Sequence, residues 1–186
     1  MPPAIGFFTS IAAAGGFLAF ASLHAEAVGF ASTSIPLFVY GIVVVSCRIV
    51  FAKVPDRLPS LPLGAGALAA IATGLTVIAL WTTPTGMIAG TSLMALGITF
   101  STPAFFSAAF ATAKPSERGA ASGTVSAFLD LGLGGGPILL GLVAQAAGIP
   151  GAFGVAAGIA LAGSVWTILL RFMSPPANVN SSQTGH

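Results

Sequence analysis

The chain has 186 residues, of which 55% are hydrophobic and only 5% charged, and its formal net charge is +2; its mean hydropathy is +1.00. A soluble domain carries about a quarter charged residues, so most of this surface must meet lipid rather than water. The six Lys and Arg residues are dispersed and form no clustered face for nucleic acid, and the one cysteine, Cys47, excludes an internal disulfide and any cysteine-based metal site.

In chain order, the apolar stretches predict membrane-spanning helices over 5–23, 34–52, 60–81, 86–112, 120–147 and 150–172. Each is near or above the ~20 residues that cross a hydrocarbon core. They must be helical because lipid offers backbone groups no partners. The fourth and fifth are long enough to tilt, kink or extend past the bilayer. Short gaps join them: His24–Thr33, Lys53–Pro59, Thr82–Thr85, Ala113–Gly119 and Gly148–Pro150. Proline stands in or beside each of the last four, as helix punctuation predicts. The tail 174–186 is polar and rich in Pro, Asn and Ser, a composition expected to be disordered. The first stretch lacks a positively charged leader, so it is read as a retained helix and not a signal peptide.

Every cation lies at every second gap or closes the last stretch. Arg48, Lys53 and Arg57 surround the second gap, Lys114 and Arg118 the fourth, and Arg171 follows the sixth stretch. Cationic side chains resist translocation. The pattern predicts an all-α, multi-pass protein of a cell (inner or plasma) membrane with both termini cytoplasmic.

Glycine recurs inside the helices at small-xxx-small spacing: Gly86/Gly90, Gly119/Gly123, Gly132/Gly136 and Gly154/Gly158. In lipid that spacing lets helix backbones approach closely. The densest run, Gly132, Gly134, Gly135, Gly136 and Pro137, is either a tight crossing or a flexible break of the kind that lines transporter sites. Pro103, after Ser101 and Thr102, marks a second expected kink.

Asp130 is the most informative single residue, well inside the fifth stretch. A mid-membrane aspartate costs roughly 2.5–3.5 kcal/mol on insertion scales. It is therefore either a proton-coupling or substrate-binding carboxylate, or a structural group that bridges a neighbouring helix. His24 and Glu26 lie at an outer helix end, where a titratable His beside a carboxylate either serves a pH-dependent gate or, as expected, is simply solvated. Phe100, Phe105, Phe106 and Phe110 are available to line a cavity or simply to pack.

Arg48, Asp56 and Arg57 stand at the spacing of the motif G-x-x-x-D-R-x-G-R and its upstream arginine, with Ala52 at the first glycine and Leu58-Pro59 in place of x-Gly. Pro115-Ser-Glu-Arg-Gly-Ala-Ala-Ser-Gly123 fits P-x-x-R-G-x-x-x-G. In these residues, over about 5–173, the chain resembles the C-terminal six-helix half of the major facilitator superfamily, specifically its efflux-type sugar or drug permeases. The resemblance implies one six-helix bundle of a two-bundle transporter working by alternating access around a midplane site. It implies secondary-active, proton-linked movement of a small solute, with Arg48, Asp56, Arg57, Glu117 and Arg118 as a cytoplasmic gating network. A complete member has about twice this length, so a second six-helix half or a second copy is expected as partner. The alternative is a non-transporting membrane subunit or a truncated remnant. No G-x-S-x-G, H-E-x-x-H or P-loop occurs, so neither an enzyme nor a cofactor or metal is expected.

Overall fold

The structure, a computed structural model, describes residues 2–173, apart from the side chains of Pro2, Asp56, Thr112, Pro115 and Met173. The predicted tail lies outside the described residues. The chain is all-helical over the described residues: α1 (Pro2–Ala27), α2 (Ile35–Val50), a single turn α3 (Val54–Arg57), α4 (Ser60–Leu80), α5 (Pro84–Thr112) and α6 (Arg118–Met173). Four of these are long and apolar enough to cross a membrane, and α2 is a shorter apolar helix of 16 residues.

This corrects the expected count of six separate helices. The last two predicted stretches form one element, α6, whose backbone leaves helical geometry at Gly148 (φ 74°, ψ 172°). Only glycine reaches that φ cheaply. The contacts show what happens there. A Cβ on Gly132 would lie 2.8 Å from Ile11, and one on Gly136 2.6 Å from the Ala12 carbonyl. Beyond the break, Phe153 meets Phe17 with ring centroids 6.2 Å apart, and Gly163 abuts Thr9. A straight helix would separate residues 132 and 163 by about 45 Å, yet both touch one short stretch of α1. The chain therefore doubles back at Gly148. Residues 118–147 run parallel to α1 and residues 149–173 antiparallel to it.

The Gly132–Pro137 run is not where the helix breaks. Helical backbone continues through Pro137 in α6 and Pro103 in α5. The prolines remove hydrogen bonds to the carbonyls four residues earlier without interrupting either span.

The helix ends are built locally. Gly29 (φ 89°) closes α1, with Phe30 N–H donating to the Ala25 carbonyl and Gly29 N–H to that of Glu26. This is the paired C-terminal cap that a left-handed residue permits. Thr83 caps α5, its hydroxyl accepting from Gly86 N–H at 3.2 Å. Pro55 and Pro59 confine the α2–α4 connection to the single turn α3.

Small residues set the packing. α1 packs chiefly on α6, α4 on both α5 and α6, and α2 on α5. Gly74 and Gly90 form a reciprocal crossing: a Cβ on Gly74 would sit 2.6 Å from the Gly90 carbonyl, and one on Gly90 2.5 Å from that of Gly74. Two buried hydroxyl contacts tie the helices further. Ser10 and Ser101 share a 2.7 Å hydrogen bond between α1 and α5, and Ser164 donates to the Ala65 carbonyl at 2.9 Å between α6 and α4. Ser101→Ala is expected to cost about 1 kcal/mol, the usual worth of an interhelical hydroxyl bond in a membrane protein, read as a modest fall in unfolding temperature in detergent.

This order places all six cations at one end of the bundle. Arg48 is in the last turn of α2, Lys53 and Arg57 lie in its connection to α4, Lys114 lies between α5 and α6, Arg118 starts α6, and Arg171 is in its last turn. The opposite end gathers the α1 cap, the α4–α5 turn and the Gly148 reversal.

Candidate functional site

Asp130 lies twelve residues into α6, about 18 Å along the axis from Arg118, and so close to mid-depth in a hydrocarbon core about 30 Å thick. It is exposed. On a 3.6-residue helix, Gly119, Gly123, Ser126, Ala127 and Gly134 share its face. All are exposed except for the backbone they share with α6, and a Cβ on Gly119, Gly123 or Gly134 would meet nothing within 4 Å. The opposite face is different. Ala121, Val125, Gly132, Gly136 and Leu140 are buried, with Gly132 and Gly136 against α1. The first half of α6 is thus packed on one side and carries on the other an unpacked small-residue strip with a carboxylate at its middle.

The predicted hinge group divides accordingly. Gly132 and Gly136 form a tight crossing, with a Cβ on Gly15 of α1 falling 3.3 Å from Pro137; Gly134 and Gly135 meet nothing within 4 Å. Of the other small-residue pairs, Gly90 packs on α4, while Gly154 and Gly158, like Gly119 and Gly123, are unpacked.

The predicted gating residues lie at the cationic end. Arg48, Arg57, Glu117 and Arg118 are exposed. The side chain of Asp56 lies outside the described residues, so its pairing with Arg48 stays an expectation. Glu117 lines a cavity of about 460 Å³ with Pro3, Ala4 and Ala121, between the starts of α1 and α6 and the end of α5. Arg48 lines another, between α2 and α5. The four phenylalanines separate: Phe105 is buried core against Phe7, with centroids 6.1 Å apart, whereas Phe100 and Phe106 line the Arg48 cavity.

His24 departs from the expected solvated end. α1 continues to Ala27, which carries His24 onto the packed face with Phe17, Ala21 and Ala25. It is 2% exposed and edge-on to Phe153 at 5.3 Å. The Ile78 carbonyl acts on the ring but falls outside hydrogen-bonding geometry, and both ring nitrogens are unpartnered. Glu26 remains exposed. A buried polar group without a partner costs about 1–3 kcal/mol. His24→Leu is therefore expected to leave stability unchanged or raise it, measured by thermal unfolding in detergent.

Among the described residues no cluster of His, Cys, Asp or Glu could hold a metal ion. The family model of the Major Facilitator Superfamily matches residues 4–186. Uncharacterized MFS-type transporters of Burkholderia mallei (strain SAVP1) and Burkholderia pseudomallei (strain K96243) are each 30% identical over 170 residues, covering 91% of this chain and 42% of the relative. One of Pseudomonas aeruginosa (strain UCBPP-PA14) is 31% identical over 170 residues, covering 90% of this chain and 40% of the relative. The chain spans less than half the length of these relatives.

Proposed function

We propose, for a chain that belongs to the Major Facilitator Superfamily, that this helical membrane bundle is one half of a secondary-active transporter moving a small solute outward in exchange for protons. The chain makes six passes, the reversal at Gly148 separating the fifth from the sixth. The cationic end is cytoplasmic, in the cell membrane, and so are both termini.

The observation that carries this reading is the unpacked face around Asp130. A carboxylate at mid-depth against lipid is costly, and such residues almost always face a bundle interior or water-filled path. A strip of glycines beside it gives a second bundle room to approach and to separate. The solute pathway then lies between this face and a second six-helix half or a second copy, and Asp130 carries the proton. Arg48, Asp56 and Arg57, with Glu117 and Arg118, form the cytoplasmic latch, closed while the bundles meet there and broken as they rock apart.

The rival reading is a membrane subunit without a complete solute pathway. Proteoliposomes separate the two. With a pH gradient imposed, the chain assembled with its partner half should move protons on addition of a transported solute from a panel of sugars and amphipathic drugs. Proton movement no greater than in empty liposomes across that panel would favour the non-transporting subunit.

A further inference from the structure

A cavity of about 330 Å³ opens between the start of α4 and the end of α6, with Leu61, Ala65, Gly66, Ser164, Ile168 and Arg171 in its walls. Arg171 is exposed and is the only charged residue among the described lining. A second cavity of about 300 Å³ follows between the same helices, past Thr73 and Gly158 to Leu161. Gly66 and Thr73 share a face of α4, and Ile168 and Leu161 share one of α6, because seven residues make close to two turns. The two cavities are therefore one groove along the crossing. A Cβ on Gly66 or Gly158 would meet nothing within 4 Å. The hydroxyls in its walls are already used: Ser164 donates to the Ala65 carbonyl at 2.9 Å, and Thr167, Thr73 and Thr76 each donate to a carbonyl four residues back at 2.8 Å. Beyond Arg171 the groove thus favours an apolar occupant over a hydroxyl-rich one.

Depth decides what such a groove takes. α4 starts at the cationic end of the bundle, and the second half of α6 runs toward it. Depth therefore increases from Leu61 to Ala69 along α4, and from Arg171 back to Leu161 along α6. Those last ten residues span about 15 Å, half of a hydrocarbon core about 30 Å thick. Arg171 thus stands at the level of the headgroups, and the groove runs from it through one leaflet. Arginine presents a planar fork of donors that matches phosphate oxygens, and basic pockets between membrane helices at this level suit anionic headgroups. We propose that this groove binds an anionic phospholipid, its phosphate on Arg171 and one acyl chain laid past Gly66 toward Leu161. The proposal needs neither Asp130, nor the latch residues, nor a second bundle, so it stands or falls apart from the transport reading.

Native mass spectrometry of the purified chain in neutral detergent tests it. The probes are phosphatidylglycerol, phosphatidylcholine with the same acyl chains, and glycerol phosphate, which has the anion but no chain. Phosphatidylglycerol should be retained about fivefold more tightly than phosphatidylcholine, the effect of one cation near an anionic headgroup. Glycerol phosphate should not be retained. Arg171→Gln should bring the two lipids level, and Lys114→Gln, a cation outside the groove, should keep the preference. Gly66→Leu leaves Arg171 in place but fills the groove where a Cβ has room, and should weaken retention of phosphatidylglycerol by a similar factor. The proposal is overturned by equal retention of the two lipids in the wild type, or by a preference that survives Arg171→Gln or is lost equally in Lys114→Gln. Retention unchanged by Gly66→Leu, or glycerol phosphate held as firmly as the lipid, would overturn it too.

Discussion

A leucine in place of Gly90 is expected to lower the unfolding free energy by about 3 kcal/mol, the upper end of the usual overpacking range. The added Cβ would stand 2.5 Å from the Gly74 carbonyl and 2.6 Å from Ile78 Cγ1. The first of these is backbone and cannot rotate away. Relief requires α4 and α5 to separate, and dispersion between close backbones is the main attraction holding them in lipid. Gly74→Leu should behave alike, because its Cβ meets the Gly90 carbonyl and the Met94 amide, each at 2.6 Å. Gly66→Leu is the control. It is in the same helix as Gly74 but its Cβ meets nothing within 4 Å, so its effect should stay within about 0.5 kcal/mol. Denaturation in mixed micelles followed by circular dichroism measures all three.

Asp130→Asn is expected to move stability and transport in opposite directions. An amide is nearly isosteric with the carboxylate but carries no titratable proton. Flux driven by a pH gradient should fall to the level of empty liposomes. The bundle itself should hold or gain stability, since the variant relieves part of the roughly 2.5–3.5 kcal/mol that an aspartate costs at this depth. A structural bridge would give the reverse result: lower stability with coupling retained. Proton flux and unfolding measured on one preparation distinguish them.

The features legible in the sequence were those set by solvent. Lys and Arg at alternate gaps gave the one-ended charge distribution because the bilayer acts on each cation separately. The apolar stretches gave the spans for the same reason. What depends on a partner was not legible. Gly90 stands out as half of a small-residue pair within α5, but its contact is Gly74 on α4, and spacing along one helix names no residue on another. Gly119/Gly123 and Gly132/Gly136 look alike in sequence, yet a Cβ on either of the first pair meets nothing while the second pair abuts α1. Gly148-Ile-Pro150 reads as a short loop between helices; the structure compresses the reversal to one left-handed glycine, with Pro150 already inside the returning helix. The apolar stretch ends at Leu23, which leaves His24 at a solvated end in sequence, whereas α1 runs on to Ala27 and the Gly29 cap. The depth of Asp130 followed from counting along the helix, but the direction of its face needed α1 in place on the other side.

Asp130 can carry protons only where its face meets water and not lipid. On a Cys47→Ser background, Gly134→Cys adds a thiol one turn from Asp130 where nothing crowds a Cβ. Leu161→Cys adds one at an outward apolar position, 55% exposed. Maleimide reacts with the thiolate, which forms in water and not in hydrocarbon. In native membranes Gly134→Cys should be labelled by a membrane-impermeant maleimide and Leu161→Cys should not. A Gly134→Cys thiol as silent as the one at 161 would put the Asp130 face in lipid and contradict the placement of the pathway there.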